Sequence, residues 1–423
     1  MITNPKNFHD PYSALRVPDF RRYVISNFLL IFANQMVSTT IGWELYEKTG
    51  RALDLGLTGL STVLPFFLFA LLGGNVADRF NRRIVIVLAT AAYSLALVGL
   101  ALTSAYQNHI PLFRIQVFLC LFLGGACNAF YIPAKQALLR QLVPRRDLLN
   151  AVTWGSTSFQ LAAVTGPAVC GLLIGRFPYF WIYGNAVIFE AIFIAVLLSL
   201  NLNETNDKKA PISLESLVEG GKFVWNTKPI LATITLDLFA VLLGGCTALL
   251  PIFVKDILHS GPETLGWLRA APSFGAFLMA LLMAGTPMKK PGLTLLWAVS
   301  GFGAATIVFG LSTNLWLSLV MMFVIGGLDE ISVILRGTLV QVMTPDRLLG
   351  RVQSVNFLFI YSSNELGAFE SGVTAHLLGI LMGPVAGTVT AVVLGGMGSI
   401  GIVWLVSRLW PQVANLKSLQ TKS

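Results

Sequence analysis

Eight ionisable side chains interrupt long apolar runs: Glu44, Glu190, Asp237, Arg269, Asp329, Glu330, Glu365 and Glu370. A charge in hydrocarbon costs about 2.5–3.5 kcal/mol on insertion scales, so such residues face a cavity or a partner. Asp237 and Asp329 lie roughly 12 Å and roughly 10 Å in from the same side of their runs, at a helical rise of about 1.5 Å per residue. Two carboxylates at one depth disfavour each other's ionisation, and such a pair suits proton loading. A second reading puts Asp329 and Glu330 at the membrane interface, and the spacing leaves both open. Asp237 has no Lys or Arg within a turn on its own helix, which makes it the first candidate for proton coupling, with Asp329, Glu330 and Glu365 behind it. Arg269 is placed roughly 8 Å from the far end of its run, where an ion pair with Glu365 or Glu370 would lower the cost of burying both charges.

The remaining polar groups divide by position. Glu190 stands near the middle of its run, while Glu44 and Glu47 stand near an end and read as interfacial. Arg114 opens a run, where it either meets an anionic substrate group or snorkels to the interface. Asn34, Gln35, Asn128 and Tyr131 are neutral groups that line a cavity or join helices by hydrogen bonds. Cys120, Cys127, Cys170 and Cys246 all fall in apolar stretches without a C-x-x-C pair. Neither a disulfide framework nor a metal site is expected. No nucleophile–base constellation and no G-x-x-x-x-G-K-[ST] signature occurs, so neither an enzyme, an ATP-driven machine nor a bound cofactor is expected.

The elements that must hold these residues are membrane helices. Of 423 residues, 55% are hydrophobic and 12% charged, with a mean hydropathy of +0.73; soluble domains carry about 25% charged residues. A span takes about 20 apolar residues. Twelve are read: Tyr23 to Tyr46, Leu55 to Val76, Ile84 to Tyr106, Leu112 to Pro133, Ala151 to Gly175, Pro178 to Leu200, Pro229 to Val254, Thr264 to Gly285, Gly292 to Ser312, Leu315 to Leu335, Val352 to Leu378 and Leu381 to Trp410. The first run follows Arg21 and Arg22 and is long enough to span, so it reads as a retained helix and not a cleaved signal. The expected fold is all-α and integral to the membrane, with twelve transmembrane helices in two six-helix pseudo-symmetric bundles, residues 1–200 and 229–423, joined by a polar linker, 201–228.

The net charge of +9 fits basic loops beside anionic lipid better than nucleic acid. With the N-terminus inside, 23 of the 29 Lys and Arg residues fall on the cytoplasmic side and six on the other, which sets both termini in the cytoplasm. An internal repeat supports two related halves: KQALLRQLVPRRDLLNAV begins at Lys135 and RGTLVQVMTPDRLLGRV at Arg336. Six spans separate the copies, so the halves run parallel about an axis along the membrane normal.

The loop after the second span reads Gly74-Asn-Val-Ala-Asp78-Arg79-Phe-Asn81-Arg82-Arg83. It resembles the G-x-x-x-D-R-x-G-R-R/K signature of the major facilitator superfamily, with Asn81 in place of the usual Gly. Asn also tolerates left-handed backbone. The resemblance implies the major facilitator fold, a conformational latch at Gly74, Asp78, Arg79, Arg82 and Arg83, and Asp78 near Arg351 or the backbone at Val352. Gly166, Pro167 and Gly171 in the fifth span resemble the G-P-x-x-G-G end of a motif of exporter branches, with Cys170 replacing one Gly. GWELYEKTG, PAKQALLRQLVP, LDLFAVLLGG and SNELGAFESG resemble siderophore exporters and macrolide-efflux-like drug:proton antiporters. What this implies is a secondary transporter of the bacterial inner membrane, acting as a monomer. It would export a small siderophore- or drug-like molecule against protons; proton-coupled uptake is the alternative.

The charge bias makes a topology prediction. A cysteine at Ser260 should react with an impermeant thiol reagent added outside the cell, whereas one at Lys289 should not. The reverse labelling pattern sinks the assignment.

Overall fold

The computed structural model describes residues 10–105, 110–200, 214–284 and 290–414. Among them every regular element is helical. Twelve long helices run back and forth: α1 (Pro18–Thr49), α2 (Ala52–Arg79), α3 (Arg82–Ala105), α4 (Ile110–Leu142), α5 (Leu148–Ile174), α6 (Tyr179–Ser199), α7 (Lys228–Gly244), α8 (Pro262–Met283), α9 (Pro291–Leu311), α10 (Leu315–Met343), α11 (Asp346–Met382) and α12 (Pro384–Leu409). After Gly244 the seventh span continues irregularly, through a 3₁₀ turn and a π segment at Phe253–Ile257. Eleven of these spans are long and apolar enough to cross a membrane. The exception, α11, has 37 residues but carries Asp346, Arg347, Arg351, Glu365 and Glu370. Large apolar side chains face outward, such as Leu381 at 81% exposure and Leu95 at 73%, a surface only lipid can wet without penalty.

The helices reach further than apolar length alone indicates. α4 continues past Pro133 to Leu142, and α10 past Leu335 to Met343. Basic residues beyond an apolar run stay helical because their stems lie on apolar surface while their heads reach out. Arg336, expected at the start of a loop, is therefore inside α10 and buried. The polar linker likewise contains a helix, Leu214–Asn226, which buries Val224 and leaves Trp225 exposed; residues 201–213 are outside the described set.

The repeat has matching backbone geometry. Pro144 ends the turn after α4 at φ −56°, ψ 149°, and Pro345 ends the turn after α10 at φ −58°, ψ 144°. Packing repeats as well. A Cβ on Gly73 of α2 would overlap the Ala129 carbonyl of α4, and one on Gly125 would overlap the Thr62 carbonyl. In the second half, Gly275 of α8 meets the Phe323 carbonyl of α10, and Gly326 meets the Pro272 carbonyl. Small residues let backbones approach where no hydrophobic drive separates lipid from protein.

The two halves meet along α2–α11 and α5–α8. Gly56 lies against Gly372, and Gly171 against Gly266 and the Pro262 carbonyl. All four positions are at the end of the bundle opposite the chain termini. One buried cluster spans both halves there, including Trp43, Tyr46, Leu55, Leu250, Phe253 and Leu265. At the terminus end the buried clusters belong to one half each: Phe20, Leu138 and Phe193 in the first, Leu236, Leu295 and Val406 in the second. The far end is shut and the terminus end is not.

That asymmetry predicts the effect of a bulky side chain at the far seam. Gly372→Leu should prevent closure, so spin labels at Arg51 and Thr313 should report a longer distance in the variant than in the unmodified protein. An unchanged distance would show that the seam does not hold the shut state.

Candidate functional site

The second half holds a buried ion pair. The Arg336 guanidinium of α10 contacts the Asp237 carboxylate of α7, and Ser332 donates to the other Asp237 oxygen at 3.3 Å. Arg336 is 2% exposed and Asp237 5%. Asp237 is therefore not the isolated carboxylate its own helix suggests. The sequence shows a helix's own neighbours, and this partner comes from another helix. Asp329 is brought to the same place, lining with Asp237, Ser332 and Phe302 a cavity of about 10 Å³, room for about one water. The expected convergence of the two aspartates is seen, but with a cation between α7 and α10. Glu330 follows on α10, half-buried.

The first half holds a larger cavity of about 170 Å³. Asn34 of α1, Asn128 and Tyr131 of α4, Tyr93 of α3 and Glu190 of α6 line it. Three of the polar groups expected around a cavity thus come together. Gln35 does not join them; its Cβ packs where a side chain on Gly166 of α5 would lie. Arg114 is also elsewhere, in an ion pair of 2.6 Å with buried Asp54, so it is not free for an anionic substrate group. Glu44, read as interfacial, is fully buried and accepts from Lys48 at 2.7 Å, Ser104 at 2.5 Å and Tyr183 at 2.8 Å. The apolar run around Glu44 hid these partners on α3 and α6. The Tyr179 hydroxyl donates to Glu47, and the Tyr46 hydroxyl to Asp256 across the halves.

Between the halves, Arg269 of α8 donates to the Ser38 carbonyl and to the Ser38 hydroxyl on α1, each at 3.0 Å. This replaces the expected ion pair. Neither Glu365 nor Glu370 forms an ion pair with Arg269 among the described residues, and Glu370 accepts from Thr374 at 2.9 Å. A Cβ on Gly59 of α2 would overlap the Glu365 carbonyl, which fixes that turn of α11 at the seam. One turn earlier, Tyr361 packs against Phe66 of α2 with ring centroids 4.1 Å apart. Of the Gly166, Pro167 and Gly171 motif, Gly166 admits Gln35 of α1 within the first half, while the Pro167 carbonyl and Gly171 abut Gly266 of α8 at the seam.

In the loop after α2, Gly74 is buried and Arg79 exposed. Arg83 donates to the Leu200 carbonyl at 3.1 Å, tying the loop to the end of α6. Asn81 does not adopt left-handed backbone; among the described non-glycine residues only His259 has positive φ. Instead the Asn81 side chain accepts from the backbone N–H of Arg83 at 2.9 Å and caps α3, a role Gly cannot fill. Arg82 is partly buried. The Asp78 side chain is outside the described set, as are Lys6, Lys208, Lys209, Lys289, Lys417 and Lys422. Arg351 has a carboxylate partner in Glu219 of the linker helix.

Two pseudo-symmetric six-helix halves, shut at one end around polar groups placed mid-membrane, define a membrane transporter. The chain belongs to the Major Facilitator Superfamily, whose family model matches residues 23–368. Curated relatives include the enterobactin exporter EntS of Shigella flexneri, 27% identical over 376 residues, and EntS of Escherichia coli O1:K1 / APEC, 26% identical over 374; each alignment covers 87% of this chain and 87% of the relative. Among solved structures, a bacterial homolog of the human lysosomal transporter Spinster, inward-facing and unoccupied, superposes with a TM-score of 0.69 at 17% identity, covering 94% of this chain and 98% of that one. A D-xylose-proton symporter gives 0.72 at 12% identity over 95% and 100%. These structural likenesses establish the fold.

The buried pair yields a stability prediction. Asp237→Asn leaves Arg336 buried without its counter-charge and should cost about 3–5 kcal/mol. The double variant with Arg336→Met should recover most of that loss. Thermal unfolding of the detergent-solubilised variants measures both, and additive losses would show the pair is not a unit.

Proposed function

We propose that the chain exports a small amphipathic organic molecule across the bacterial cytoplasmic membrane in exchange for protons, with both termini in the cytoplasm. Residues 1–200 and 229–423 then move as two bodies about the α2–α11 and α5–α8 seams, joined by the linker 201–228. With the termini inside, the shut end faces outward and the structure is an inward-facing state. The relatives named as enterobactin exporters support a siderophore-like cargo.

The observation that carries this reading is the placement of Glu365. Its carboxylate accepts no hydrogen bond among the described residues, and its turn of α11 packs on Gly59 of α2 at the seam, while Arg269 of the same half is bound to Ser38 on the other. A protonated Glu365 exerts no pull on Arg269, so Arg269 stays on Ser38 and the outer end stays shut. An ionised Glu365 competes for the guanidinium. Drawing Arg269 off Ser38 removes a bridge between α1 and α8 and favours opening outward. Proton release inside, followed by cargo binding, therefore leads to the outward state; protonation outside leads back. That order is antiport. Asp237, held by Arg336, is left to structure, with Asp329 and Glu330 behind Glu365 as coupling groups. The basic loop with Asp78 acts at the cytoplasmic end as the latch for the opposite state.

In everted membrane vesicles that acidify their lumen, the protein should accumulate a siderophore that carries a free amine. Glu365→Gln should lose that accumulation and keep counterflow exchange. Retained uphill accumulation in the variant would place coupling elsewhere, and accumulation only under the opposite gradient would make the protein an uptake carrier.

A further inference from the structure

The first-half cavity contains a charge imbalance that the seam mechanism does not use. Glu190 is fully buried on α6. Ser94 of α3 donates to one of its oxygens, and the other, Oε1, accepts nothing. A buried carboxylate oxygen without a donor is costly unless something else supplies one. No Lys or Arg lines the cavity. Lys135, on α4, sits 5.4 Å from the centroid of the Tyr131 ring and makes no ion pair with Glu190. The other lining groups are the amides of Asn34 and Asn128 and the aromatic side chains of Tyr93 and Tyr131. A carboxylate with aromatic walls and amide acceptors is the composition that receives an organic ammonium: the charge meets the carboxylate and its carbon-bound hydrogens meet the rings. Asn34 is exposed, which gives the cavity a mouth.

We propose that this cavity is a cation subsite, in which a change of rotamer brings the buried Glu190 carboxylate to the ammonium group of an amine-bearing molecule. As a statement about cargo it rests on the transport reading, because it assigns an amine to the molecule carried; as a statement about binding it does not. The cavity is lined by first-half residues alone, so cargo charge and coupling proton are held by different carboxylates. About 170 Å³ admits a small alkyl- or arylammonium end, with the rest of a larger molecule left outside the mouth at Asn34.

Cys127 also lines this cavity and is partly accessible, whereas Cys120, Cys170 and Cys246 are buried, so one thiol reports on it. Aminoethyl methanethiosulfonate, a cation, and methyl methanethiosulfonate, neutral, can be compared by mass spectrometry of the Cys127 peptide in the detergent-solubilised protein, without any transport. In the unmodified protein the cationic reagent should be favoured over the neutral one, relative to their rates with a free thiol. Glu190→Gln should lower that preference about tenfold, the effect of losing one nearby charge at intermediate dielectric, and Glu190→Asp should retain it. Propylammonium, but not propanol, should protect Cys127 in the unmodified protein, a reading independent of how either variant folds. Equal preference in the unmodified protein and Glu190→Gln, or equal protection by amine and alcohol, would overturn the proposal and make Glu190 a neutral acid. Export failing in vesicles while the Cys127 preference stands would reject the transport reading and leave the subsite.

Discussion

Taking a carboxylate or guanidinium out of water costs several kcal/mol per ion, and only a well-placed partner offsets it. This chain resolves most of its buried charges between helices: Asp237 with Arg336, Asp54 with Arg114, and Glu44 with Ser104 and Tyr183 as well as its own-helix Lys48. Each partnership requires two helices to hold one register. α7 cannot slide on α10, nor α2 on α4, without uncovering a charge. The interior of each half is therefore stiff, and motion has to occur where no such pair crosses.

The seams between halves are built from different material. Gly56 on Gly372 and Gly171 on Gly266 give close backbone contact with little specific bonding. Such surfaces separate at modest cost, because each glycine loses only van der Waals contact. The polar bonds across the shut end include Arg269 to Ser38, which is exposed, and Tyr46 to Asp256, which is part-buried. The chain thus combines charge-paired interiors with small-residue seams between the halves, the combination that the proposed alternating access calls for.

The fold was legible in the sequence because its signals are local. Apolar runs, loop charge and the repeat at Lys135 and Arg336 each occupy one stretch of chain. The span boundaries were less so, since α4 and α10 continue as helix beyond their apolar parts and carry Arg336 inward with them. The site was legible only as a set of suspects. Depth put Asp329 level with Asp237 and left two readings of it open; that Arg336 would stand on Asp237, or Ser38 on Arg269, did not follow, because those contacts join residues about 100 and 231 positions apart. Glu190 carried one usable signal, a carboxylate in the middle of an otherwise apolar helix, but its cavity depends on four other helices.

The two halves have diverged at corresponding positions. Arg336 stands nine residues before Pro345, and Lys135 stands nine residues before Pro144. In the second half the base meets an aspartate and the space around it shrinks to about 10 Å³. In the first half the base lies by the Tyr131 ring, Tyr131 bonds Asn27 at 3.3 Å, and about 170 Å³ stays open beside a carboxylate lacking a cation. A filled, neutralised interior resists deformation and has nothing to offer a ligand. An open one with an unbalanced charge is costly to keep unless occupancy offsets it. The duplicated fold thus leaves one half filled and neutralised and the other with open space beside a carboxylate oxygen that accepts nothing.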